Sequence, residues 1–563
     1  MTDNRIVIIG GSAAGPKAAS RARRLNGNAE IVILQRDMNL SMSTCAYPYY
    51  VSNTIRDRRA LISTPAGQIR DTEYFMQMKN IIVRTGATVT SIDPAAHVVR
   101  FTDTKTGADE EMEYSKLIIA TGSTPRMPNV PGVELEGVAA LHSLEDADNL
   151  RAYALEKGIE KAVIIGGGSI GLEVCEALSI AGMSVTIVEA APHIMNSMDP
   201  EMSMLLERFA KTKIGLYTGN SAVRINGSNG VVSAVELDDG TVLDCGLVVM
   251  AAGVVPNTGL AKNAGILLGE SDGIVVNQFM QTSEYDIYAA GDCVESRNFV
   301  SGGNVYSPFG DEANLQGRVA GENAAVGNRA MYTGTAQSFI CKFFNYTVGS
   351  TGLTEKAALE RGYEIETVIY DGIDRPGFMG GKNLITKLVM ERLTDRFIGA
   401  QCVGTGDLSR HMSVFAVAVK GGLGITDMTD IDLPYSPVFS QPIDAAVEAC
   451  HLLMNKRQGY MKSISSIKLM ERLEKGENLF LLDVRNPEEF AMGHVGFGII
   501  NIPLPELRDR LAEIPEGKKT EIICCCQIGR RAFEGARILM NNGWRNVLVL
   551  EGGLSAWPYR IER

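Results

Sequence analysis

The chain lacks an excess of basic residues, long uncharged apolar runs and regularly spaced cysteines. Its 563 residues carry a formal net charge of -12, which argues against the clustered lysines and arginines of a nucleic-acid-binding surface. No run is long and uncharged enough to span a bilayer, so we expect no membrane partner. The ten cysteines follow no regular spacing, which excludes a disulfide framework and predicts reduced thiols. No motif indicates a metal site.

The beginning of the chain also lacks the features of a secretory signal. The sequence "MTDNRIVIIGG" holds one acid and one basic residue before a short apolar run that ends in glycines. A signal peptide needs a basic leader and a longer apolar core, so we expect a cytoplasmic protein. The composition, 45% hydrophobic and 21% charged, is typical of chains that bury large cores, and the length suggests about three or four domains.

A glycine turn follows the first apolar run. The segment "RIVIIGGSAAGPKAASRARRL" reads as strand, turn and helix, with Gly10, Ser12 and Gly15 at the spacing of the dinucleotide fingerprint G-x-G-x-x-G. The outer glycines allow a tight turn and close helix packing, and the pyrophosphate sits over the helix N-terminus. The match is imperfect because Ser12 replaces the middle glycine. Gln35 lies where an acid usually binds a ribose hydroxyl, and an amide can form that hydrogen bond as well.

A second glycine turn matches the dinucleotide fingerprint more closely than the first. The segment "KAVIIGGGSIGLEVCEALSIAGMSVTIVEAAP" contains Gly166, Gly168 and Gly171 between a strand and a helix, and the next strand ends at Glu189. A carboxylate there accepts hydrogen bonds from an adenosine ribose and repels a 2′-phosphate, which favours NADH over NADPH. One such turn also fits a structural strand–helix junction. Two of them, each with its own following strand, predict two bound dinucleotides.

Two dinucleotides in one chain indicate a flavin that exchanges hydride with a nicotinamide. The strands in "LIIATGSTPRMPNVPG" and "LVVMAAGVVPN" break at small residues, as crossings between two nucleotide domains do, and we expect Thr121 and Gly122 to contact cofactor. Asp292 ends "TSEYDIYAAGDC", where an acid can bind the ribityl chain of a flavin. The segment "EANLQGRVAGENAAVG" (312–327) predicts a helix whose N-terminus faces the flavin ring.

With these five motifs in this order, residues 1–450 resemble the flavin-dependent pyridine nucleotide-disulfide oxidoreductases. The resemblance implies Rossmann-like nucleotide-binding domains, an α+β dimerisation domain and a homodimer, with FAD and NADH as cofactors. The implied boundaries are 1–122 and 256–330 for the FAD domain, 123–255 for the inserted NAD domain, and 331–452 for the dimerisation domain.

The segment "SMSTCAYPYY" (41–50) indicates which branch of the family the chain resembles. Cys45 has no second cysteine within a hundred residues, as in the coenzyme A disulfide reductases, persulfide and polysulfide reductases, NADH oxidases and NADH peroxidases. The segment departs from the coenzyme A reductases at Met42 and at Thr44, where phenylalanine and a coenzyme A-binding asparagine are usual. It keeps four residues of their reactive segment: Ser41, Cys45, Pro48 and Tyr49. Cys45 is thus expected to be catalytic, with a pKa lowered by an adjacent flavin.

Three other positions refine this resemblance. Ala13 stands where peroxidases carry a histidine, which disfavours peroxide as the substrate. In "IDLPYSPVFSQP" (431–442), Tyr435 matches a tyrosine that reaches the active site of the second subunit, where it would donate a hydrogen bond to the departing thiolate; packing at the dimer is the alternative role. Arg24 matches a basic position that contacts phosphate, although a helix-surface arginine can also be simply solvated.

The tail after a polar linker (453–463) resembles a single rhodanese domain, an α/β sulfurtransferase module, over residues 464–563. "DVR", "GHV", Cys-x-x-Gly-x-Arg and "GGLSAW" occur in the order of that family. Cys524 and Cys525 continue a strand, whereas Cys526 starts the loop "CQIGRR", whose backbone N–H groups converge on its sulfur above a helix N-terminus. Arg530 and Arg531 add positive charge for an anionic sulfur donor.

The expected function is FAD-dependent reduction, by NADH, of the S–S bond of a coenzyme A persulfide, a polysulfide or coenzyme A disulfide. NADPH is the second choice of reductant, and coenzyme A is the expected thiol. Cys526 handles sulfane sulfur and passes it to or from the small thiol bound at Cys45. Two alternatives stay open: an NADH oxidase of the single-cysteine branch, and a sulfur-trafficking or redox-sensing sulfurtransferase.

Overall fold

A computed structural model describes residues 4–515 and 520–563. The chain divides into two compact units, Met1–Ala190 with Tyr217–Gln337, and Ala191–Leu216 with Ser338–Arg563. Both units mix α-helices with β-sheets. In the described ranges, no helix has the length and apolar character needed to cross a membrane.

The first unit begins with the elements around the first glycine turn. These are β1 (Arg5–Ile9), α1 (Ala14–Leu25), β2 (Glu30–Gln35), 3-10 helices at Thr44–Ala46 and Arg58–Ile62, α2 (Tyr47–Val51), α3 (Thr72–Lys79), β3 (Ile82–Thr85), β4 (Ala87–Asp93), β5 (Val98–Asp103), β6 (Asp109–Glu113), β7 (Lys116–Ile119) and β8 (Ser123–Pro125).

The second glycine turn and the return to the first sheet complete this unit. The elements are β9 (Val138–Ala140), α4 (Leu144–Leu155), β10 (Lys161–Ile165), α5 (Ser169–Ile180), β11 (Ser184–Glu189), β12 (Gly215–Thr218), β13 (Ala222–Ser228), β14 (Val231–Leu237), β15 (Val242–Asp244), β16 (Leu247–Met250), β17 (Val254–Pro256), α7 (Gly259–Asn263), β18 (Ile274–Val275), β19 (Ile287–Ala289), β20 (Val294–Arg297), β21 (Asn304–Tyr306) and α8 (Gly310–Val326).

Both glycine turns leave the centre of a parallel sheet. The first sheet runs β19–β7–β1–β2–β3, and in the second β11, β10, β16 and β9 follow one another. The central strands β1 and β10 read "RIVII" and "KAVII" and are buried after their first residue, as expected when helices cover both faces of a sheet. Strands β8 and β17, from the two segments expected to cross between nucleotide domains, pair antiparallel with each other.

The second unit joins a short helical segment to the rest of the chain. Its elements are α6 (Pro200–Ala210), β22 (Phe339–Phe343), β23 (Tyr346–Gly352), α9 (Glu355–Glu360), β24 (Ile365–Ile373), a 3-10 helix (Gly377–Met379), β25 (Asn383–Glu391), β26 (Phe397–Gly404), α10 (Ser409–Gly421), α11 (Ile425–Thr429), α12 (Ala445–Arg457), β27 (Ser463–Ile464), α13 (Ser466–Glu474), β28 (Phe480–Asp483), α14 (Pro487–Ala491), β29 (Ile500–Asn501), a 3-10 helix (Leu511–Glu513), β30 (Ile522–Cys525), α15 (Arg530–Asn541) and β31 (Val547–Leu550).

Two sheets organise this unit. An antiparallel sheet, β22–β23–β26–β25–β24, precedes a parallel sheet in the order β27–β31–β30–β28–β29. The prediction that Cys524 and Cys525 continue a strand is confirmed, since β30 ends at Cys525 and both side chains are buried.

The predicted linker (453–463) differs from the structure at its start. Helix α12 continues to Arg457, so residues 453–457 are helical. The charged residues there form ion pairs: Lys456 binds Glu551 at 2.8 Å and Arg457 binds Asp395 at 2.8 Å. These partners are distant in sequence, which is why the polar stretch alone predicted a linker.

Candidate active sites

The first glycine turn is closed by contacts that a side chain would obstruct. Gly10 has φ +111°, and a Cβ built on it would overlap the carbonyl oxygen of Ala120. A Cβ on Gly15 would overlap the carbonyl oxygen of Gly10. Helix α1 then starts without an acidic residue in its first turn and without a side-chain cap. Its N-terminus is suited to an anionic group such as a pyrophosphate.

The second turn repeats this geometry with one informative difference. Gly166 has φ +114°, and a Cβ on Gly171 would overlap the carbonyl oxygen of Gly166. A Cβ on Gly168, in contrast, would meet no protein atom within 4 Å. The fold itself therefore does not require glycine at position 168, whereas close approach of a dinucleotide to the backbone does. This turn fits a bound NAD(H).

The strand-end residues of the two turns make the same hydrogen bond. The N–H of Gly11 donates to Oε1 of Gln35 at 2.7 Å, and the N–H of Gly167 donates to Oε2 of Glu189 at 2.6 Å. Each side chain is thus fixed against its glycine turn. Contact of Gln35 and Glu189 with a ribose stays a prediction.

The expected cofactor residues at the strand crossing take part in a tight internal network. The hydroxyl of Thr121 donates to the carbonyl oxygen of Asn257 at 2.6 Å, and the N–H of Asn257 donates to the carbonyl oxygen of Gly122 at 2.9 Å. Gly122 has φ +68°. Their observed role is to hold the crossing, and their contact with cofactor stays a prediction.

Asp292 follows β19 at the end of the first sheet. It accepts a hydrogen bond from Ser123 at 3.3 Å, and the hydroxyl of Tyr306 donates to its carbonyl oxygen at 3.0 Å. Burial raises the pKa of the Asp292 carboxyl. A mostly buried carboxylate with few donors is suited to accept a hydrogen bond from a ligand hydroxyl, as the ribityl role requires.

Cys45 lies in the 3-10 helix Thr44–Ala46 and faces the start of α8. A Cβ built on Gly310, the first residue of α8, would lie 3.6 Å from its Sγ. The predicted helix 312–327 is confirmed, beginning two residues earlier. All ten cysteines are described, and Cys45 alone is exposed. The loop before it is tied to the first glycine turn, because the N–H of Ser41 donates to the carbonyl oxygen of Gly11 at 2.8 Å.

The chain's own groups do not activate this thiol. Although Cys45 is exposed, the surrounding protein partly desolvates its thiol, and this raises the pKa of the thiol. The charges of Glu173 and Asp292 raise this pKa further, whereas a hydrogen bond with the Thr44 side chain lowers it. The expected fall in the pKa of Cys45 therefore depends on a bound flavin and stays a prediction.

Cys526 is held in a different way. It is the first residue after β30, it is fully buried, and its Sγ accepts hydrogen bonds from the N–H groups of Gly529 at 3.2 Å and Ala532 at 3.3 Å. We call residues 526–531 the sulfur loop. Of the N–H groups that bind the sulfur, one comes from Gly529 in this loop and the other from Ala532 in the first turn of α15. This arrangement at a helix N-terminus stabilises a thiolate.

The two arginines of the sulfur loop are already paired. Arg531 binds Glu489 through two hydrogen bonds of 2.6 Å and thereby lowers the pKa of that carboxyl to about 2. Arg530 binds both oxygens of Glu448, at 3.0 and 2.9 Å. The positive charge expected to attract an anionic donor is therefore compensated in both cases.

Comparison with known families accounts for most of the chain. Residues 4–309 match the model described as pyridine nucleotide-disulphide oxidoreductase, residues 338–447 match the dimerisation domain of the same family, and residues 466–558 match the rhodanese-like domain. The chain belongs to the pyridine nucleotide-disulphide oxidoreductases. Its predicted fold class and its assignment as an enzyme are confirmed.

Similar members of this family cover most or all of the chain. An NAD(P)H coenzyme A polysulfide/persulfide reductase of Pyrococcus horikoshii is 32% identical over 80% of this chain and 98% of that protein. The structure of an NAD-dependent persulfide reductase from A. fulgidus matches with a TM-score of 0.93 and 38% identity, covering 98% of this chain and 100% of the other. The structure of reduced Bacillus anthracis CoADR-RHD matches with a TM-score of 0.93 and 31% identity over the whole of both chains.

The structure of this oxidoreductase adds residues that the sequence did not indicate. Glu173, on α5 shortly after Gly171, has a pKa raised to about 7 by burial and by the charge of Glu176. Its charge acts on Cys45. A carboxylate near the N-terminus of a glycine-turn helix was a visible signal, but only the fold brings it near the thiol.

The sequence also did not indicate a group of neighbouring cations, of which only Arg24 was a predicted site residue. Burial lowers the pKa of Lys79, and the neighbouring charges of Arg24, Arg70 and Lys17 lower it further. We call these four residues the basic group. Within the described residues, no carboxylate pairs with any of them. In a chain with a net charge of -12, unpaired cations that repel one another favour an anionic ligand.

The remaining predicted site residues lie on the surface. Thr44 and Tyr49 are exposed near Cys45. Tyr435 lies outside the regular elements of the second unit and is half exposed, and the nearby Phe439 is also exposed. The role of Tyr435 in a second subunit stays a prediction.

Proposed function

We propose that the protein is a flavin-dependent reductase that uses NADH to reduce S–S bonds of a coenzyme A persulfide, a polysulfide or coenzyme A disulfide. One observation carries this function. Cys45 is the one exposed thiol among the ten cysteines, and it faces the N-terminus of α8 in a fold with two dinucleotide turns. The relatives named as persulfide and coenzyme A reductases support the same function.

The residues present fit FAD at the first turn and NADH at the second. Gly10 and Gly15 close the first turn, Asp292 is available for the ribityl hydroxyls, and Gly168 leaves room for the second dinucleotide. FAD, when bound, supplies a two-electron carrier between NADH and the S–S bond. The chain orients these groups and brings Cys45 to the end of α8.

Cys45 acts as the nucleophile on the sulfur substrate. Its thiolate attacks one sulfur of the S–S bond, a new S–S bond forms to Cys45, and the other sulfur leaves as a thiolate or hydrosulfide. The hydrogen bond with the Thr44 side chain favours negative charge on the attacking sulfur. Tyr435 of a second subunit would donate a hydrogen bond to the leaving thiolate.

The basic group supports coenzyme A as the thiol. Coenzyme A carries several phosphate charges. In the described part of the unit that holds Cys45, the cations of the basic group have no carboxylate partner. Ser41, Thr44 and Tyr49 lie in the same segment as the thiol, where they would contact the rest of the molecule.

The rhodanese domain handles sulfane sulfur at Cys526. The N–H groups of Gly529 and Ala532 stabilise first the thiolate and then the persulfide. Sulfur passes to or from the small thiol that reacts at Cys45. Fusion of the two centres in one chain raises their effective concentration for this handover.

The protein is further proposed to be a cytoplasmic homodimer. The match of residues 338–447 to a dimerisation domain supports the dimer. So do the apolar side chains exposed in that region, namely Tyr435, Val438, Phe439 and Ile443. Sedimentation of the holoenzyme tests the dimer, and a monomer at micromolar concentration would contradict it.

Anaerobic turnover tests the proposed function. The holoenzyme is mixed with NADH and, in turn, with coenzyme A persulfide, polysulfide and coenzyme A disulfide, and NADH consumption is followed. At least one of these substrates is expected to support rapid turnover. Rapid oxygen reduction without sulfur would instead identify an NADH oxidase. Slow NADH turnover with fast sulfur transfer would identify a sulfur-trafficking or sensing protein.

A further inference from the structure

The sulfur loop is surrounded by charges that cancel. Three arginines lie in or beside the loop, and each is paired with a carboxylate: Arg485 with Asp483, Arg530 with Glu448, and Arg531 with Glu489. Three positive charges thus face three negative charges. A donor that carries two negative charges, such as thiosulfate, gains little from such a site.

Glu448 differs from the other two carboxylates because it comes from outside the rhodanese domain. It lies on α12, whose first turn is capped by Asp444. Its carboxylate also accepts a hydrogen bond from the hydroxyl of Tyr370 on β24. The side chain is therefore held from two sides while it binds Arg530.

Further contacts fix the rhodanese domain against β24 and α12. The buried carboxylate of Glu551 accepts hydrogen bonds from the N–H of Ile369 at 3.1 Å and from Lys456 at 2.8 Å. Glu551 starts the segment "EGGLSAW", which is bonded to the sulfur loop because the N–H of Leu554 donates to the carbonyl oxygen of Cys526 at 3.0 Å. The position of Glu448 relative to the sulfur loop is thus a built feature of this unit.

We propose that Glu448 is a specificity-determining residue for sulfur transfer, which acts through Arg530 to disfavour inorganic dianionic donors and so favours persulfides of carrier thiols. The inference rests on the proposed sulfur transfer at Cys526. It adds to that function a residue of the neighbouring domain and a discrimination between two donor classes.

The two donors react by balanced steps of the same kind. With thiosulfate, the Cys526 thiolate attacks the outer sulfur, the Cys526–sulfur bond forms, the sulfur–sulfur bond breaks, and sulfite leaves with the electron pair. With a thiol persulfide, the same attack on the outer sulfur releases the carrier thiolate. Both leave a persulfide on Cys526. Thiosulfate brings both of its charges to the loop, whereas a carrier persulfide brings the charge of its sulfur and keeps its carboxylates or phosphates farther from Cys526.

Steady-state sulfur transfer to cyanide by the full-length holoenzyme tests this inference. Thiosulfate and glutathione persulfide are compared as donors for the wild type and for Glu448→Gln. Because the substitution frees Arg530, we expect kcat/KM for thiosulfate to rise about five-fold through a lower KM, the order expected for one charge acting on a dianion near the surface. The value for the persulfide is expected to change less than about two-fold, and the gain for thiosulfate is expected to shrink in 0.5 M salt, on the order predicted by screening.

Three further variants separate charge from structure. Tyr370→Phe keeps the carboxylate and is expected to leave the donor preference unchanged. Glu506→Gln removes a carboxylate that pairs with Arg510 on the rhodanese domain and is expected to have no effect. In a double-mutant cycle, Arg530→Gln is expected to abolish the gain caused by Glu448→Gln. NADH-dependent reduction at Cys45 reports that each variant is folded.

An unchanged or lower kcat/KM for thiosulfate in folded Glu448→Gln would overturn the role of Glu448 while leaving sulfur transfer intact. An equal gain in the Arg530→Gln background would also overturn it. If Glu448→Gln does not fold, a donor preference that stays the same in Arg530→Gln at every salt concentration would overturn it as well. A wild-type enzyme that transfers sulfur from neither donor would overturn the proposed sulfur transfer itself.

Discussion

Cys45 and Cys526 differ in what surrounds the sulfur. Two backbone N–H groups bind the buried Sγ of Cys526, which suits a site that stabilises a thiolate or a persulfide anion. Cys45 is exposed, and its pKa is raised by partial desolvation of the sulfur and by the nearby carboxylates. The sequence motifs predicted both thiols, because each lies in a locally continuous segment. They could not predict Glu173, since its effect on Cys45 arises only in the folded chain.

Glu173 should make the reactivity of Cys45 depend on pH near neutrality. Above its pKa of about 7, Glu173 is negative and disfavours the Cys45 thiolate. Glu173→Gln removes this charge, so alkylation of Cys45 by iodoacetamide is expected to be about two- to five-fold faster above pH 7. The pH profile is expected to lose its inflection near 7. Cys45→Ser supplies the background rate, and identical profiles for wild type and Glu173→Gln would refute the coupling.

Glu189 is expected to determine the preference for NADH. Glu189→Ala removes both its charge and its hydrogen bond with Gly167, whereas Glu189→Gln can keep the hydrogen bond. If charge repels the 2′-phosphate, both variants narrow the ratio of kcat/KM for NADH over NADPH, by about ten-fold. Steady-state kinetics with the two reductants provide the measurement. A wild-type enzyme that prefers NADPH would contradict the assignment.

Substitution of Lys79 tests whether the basic group binds coenzyme A. Lys79→Gln is expected to raise KM for coenzyme A disulfide about five- to ten-fold, the order for one lost phosphate contact. KM for inorganic polysulfide is expected to stay within about two-fold, because that substrate makes no such contact. Lys213→Gln, a change at an exposed lysine of the other unit, is the control. An equal effect on both substrates would argue against a coenzyme A site.

At the scale of elements, the sequence predicted what local geometry determines. Both glycine turns, their flanking strands and most of the helix α8 were predictable, because positive φ at glycine and buried apolar strands leave local patterns. The end of α12 was not predictable. Its last turn is held by Lys456 and Arg457 through partners 95 and 62 residues away, and no local pattern encodes such pairs.

The second and third glycines of the fingerprint in the second turn, Gly168 and Gly171, offer a matched pair of substitutions. Gly171→Ala forces a Cβ against the carbonyl oxygen of Gly166 and is expected to lower the free energy of unfolding by about 1–3 kcal/mol. Gly168→Ala meets no protein atom within 4 Å, so its free energy of unfolding should change by less than about 0.5 kcal/mol. It should still weaken NADH binding, because the backbone can no longer approach the dinucleotide.

Urea unfolding and NADH titration measure the two effects separately. Equal loss of stability in both variants would contradict the account of the turn. Unchanged NADH affinity in Gly168→Ala would contradict it as well, because the space beside residue 168 would then not be occupied by the dinucleotide.

At the scale of the whole molecule, the chain combines a reductase with a sulfurtransferase. The domain order was predictable from motifs in sequence. The pairing of Arg530 with Glu448 was not, because the two residues lie 82 positions apart in segments that resemble different families. The basic group was not predictable either, since its members are spread over residues 17–79 and only Arg24 matched a phosphate-contacting position of the family.

The central claim is that the two thiols divide the work of the molecule. Parallel assays of Cys45→Ser and Cys526→Ser test it most directly, with NADH-driven reduction of coenzyme A disulfide and persulfide transfer to cyanide measured on each holoenzyme. We expect Cys45→Ser to abolish NADH-driven reduction and spare sulfur transfer, and Cys526→Ser to do the reverse. Sulfur transfer that survives in Cys526→Ser, or NADH-driven disulfide reduction that survives in Cys45→Ser, would contradict it.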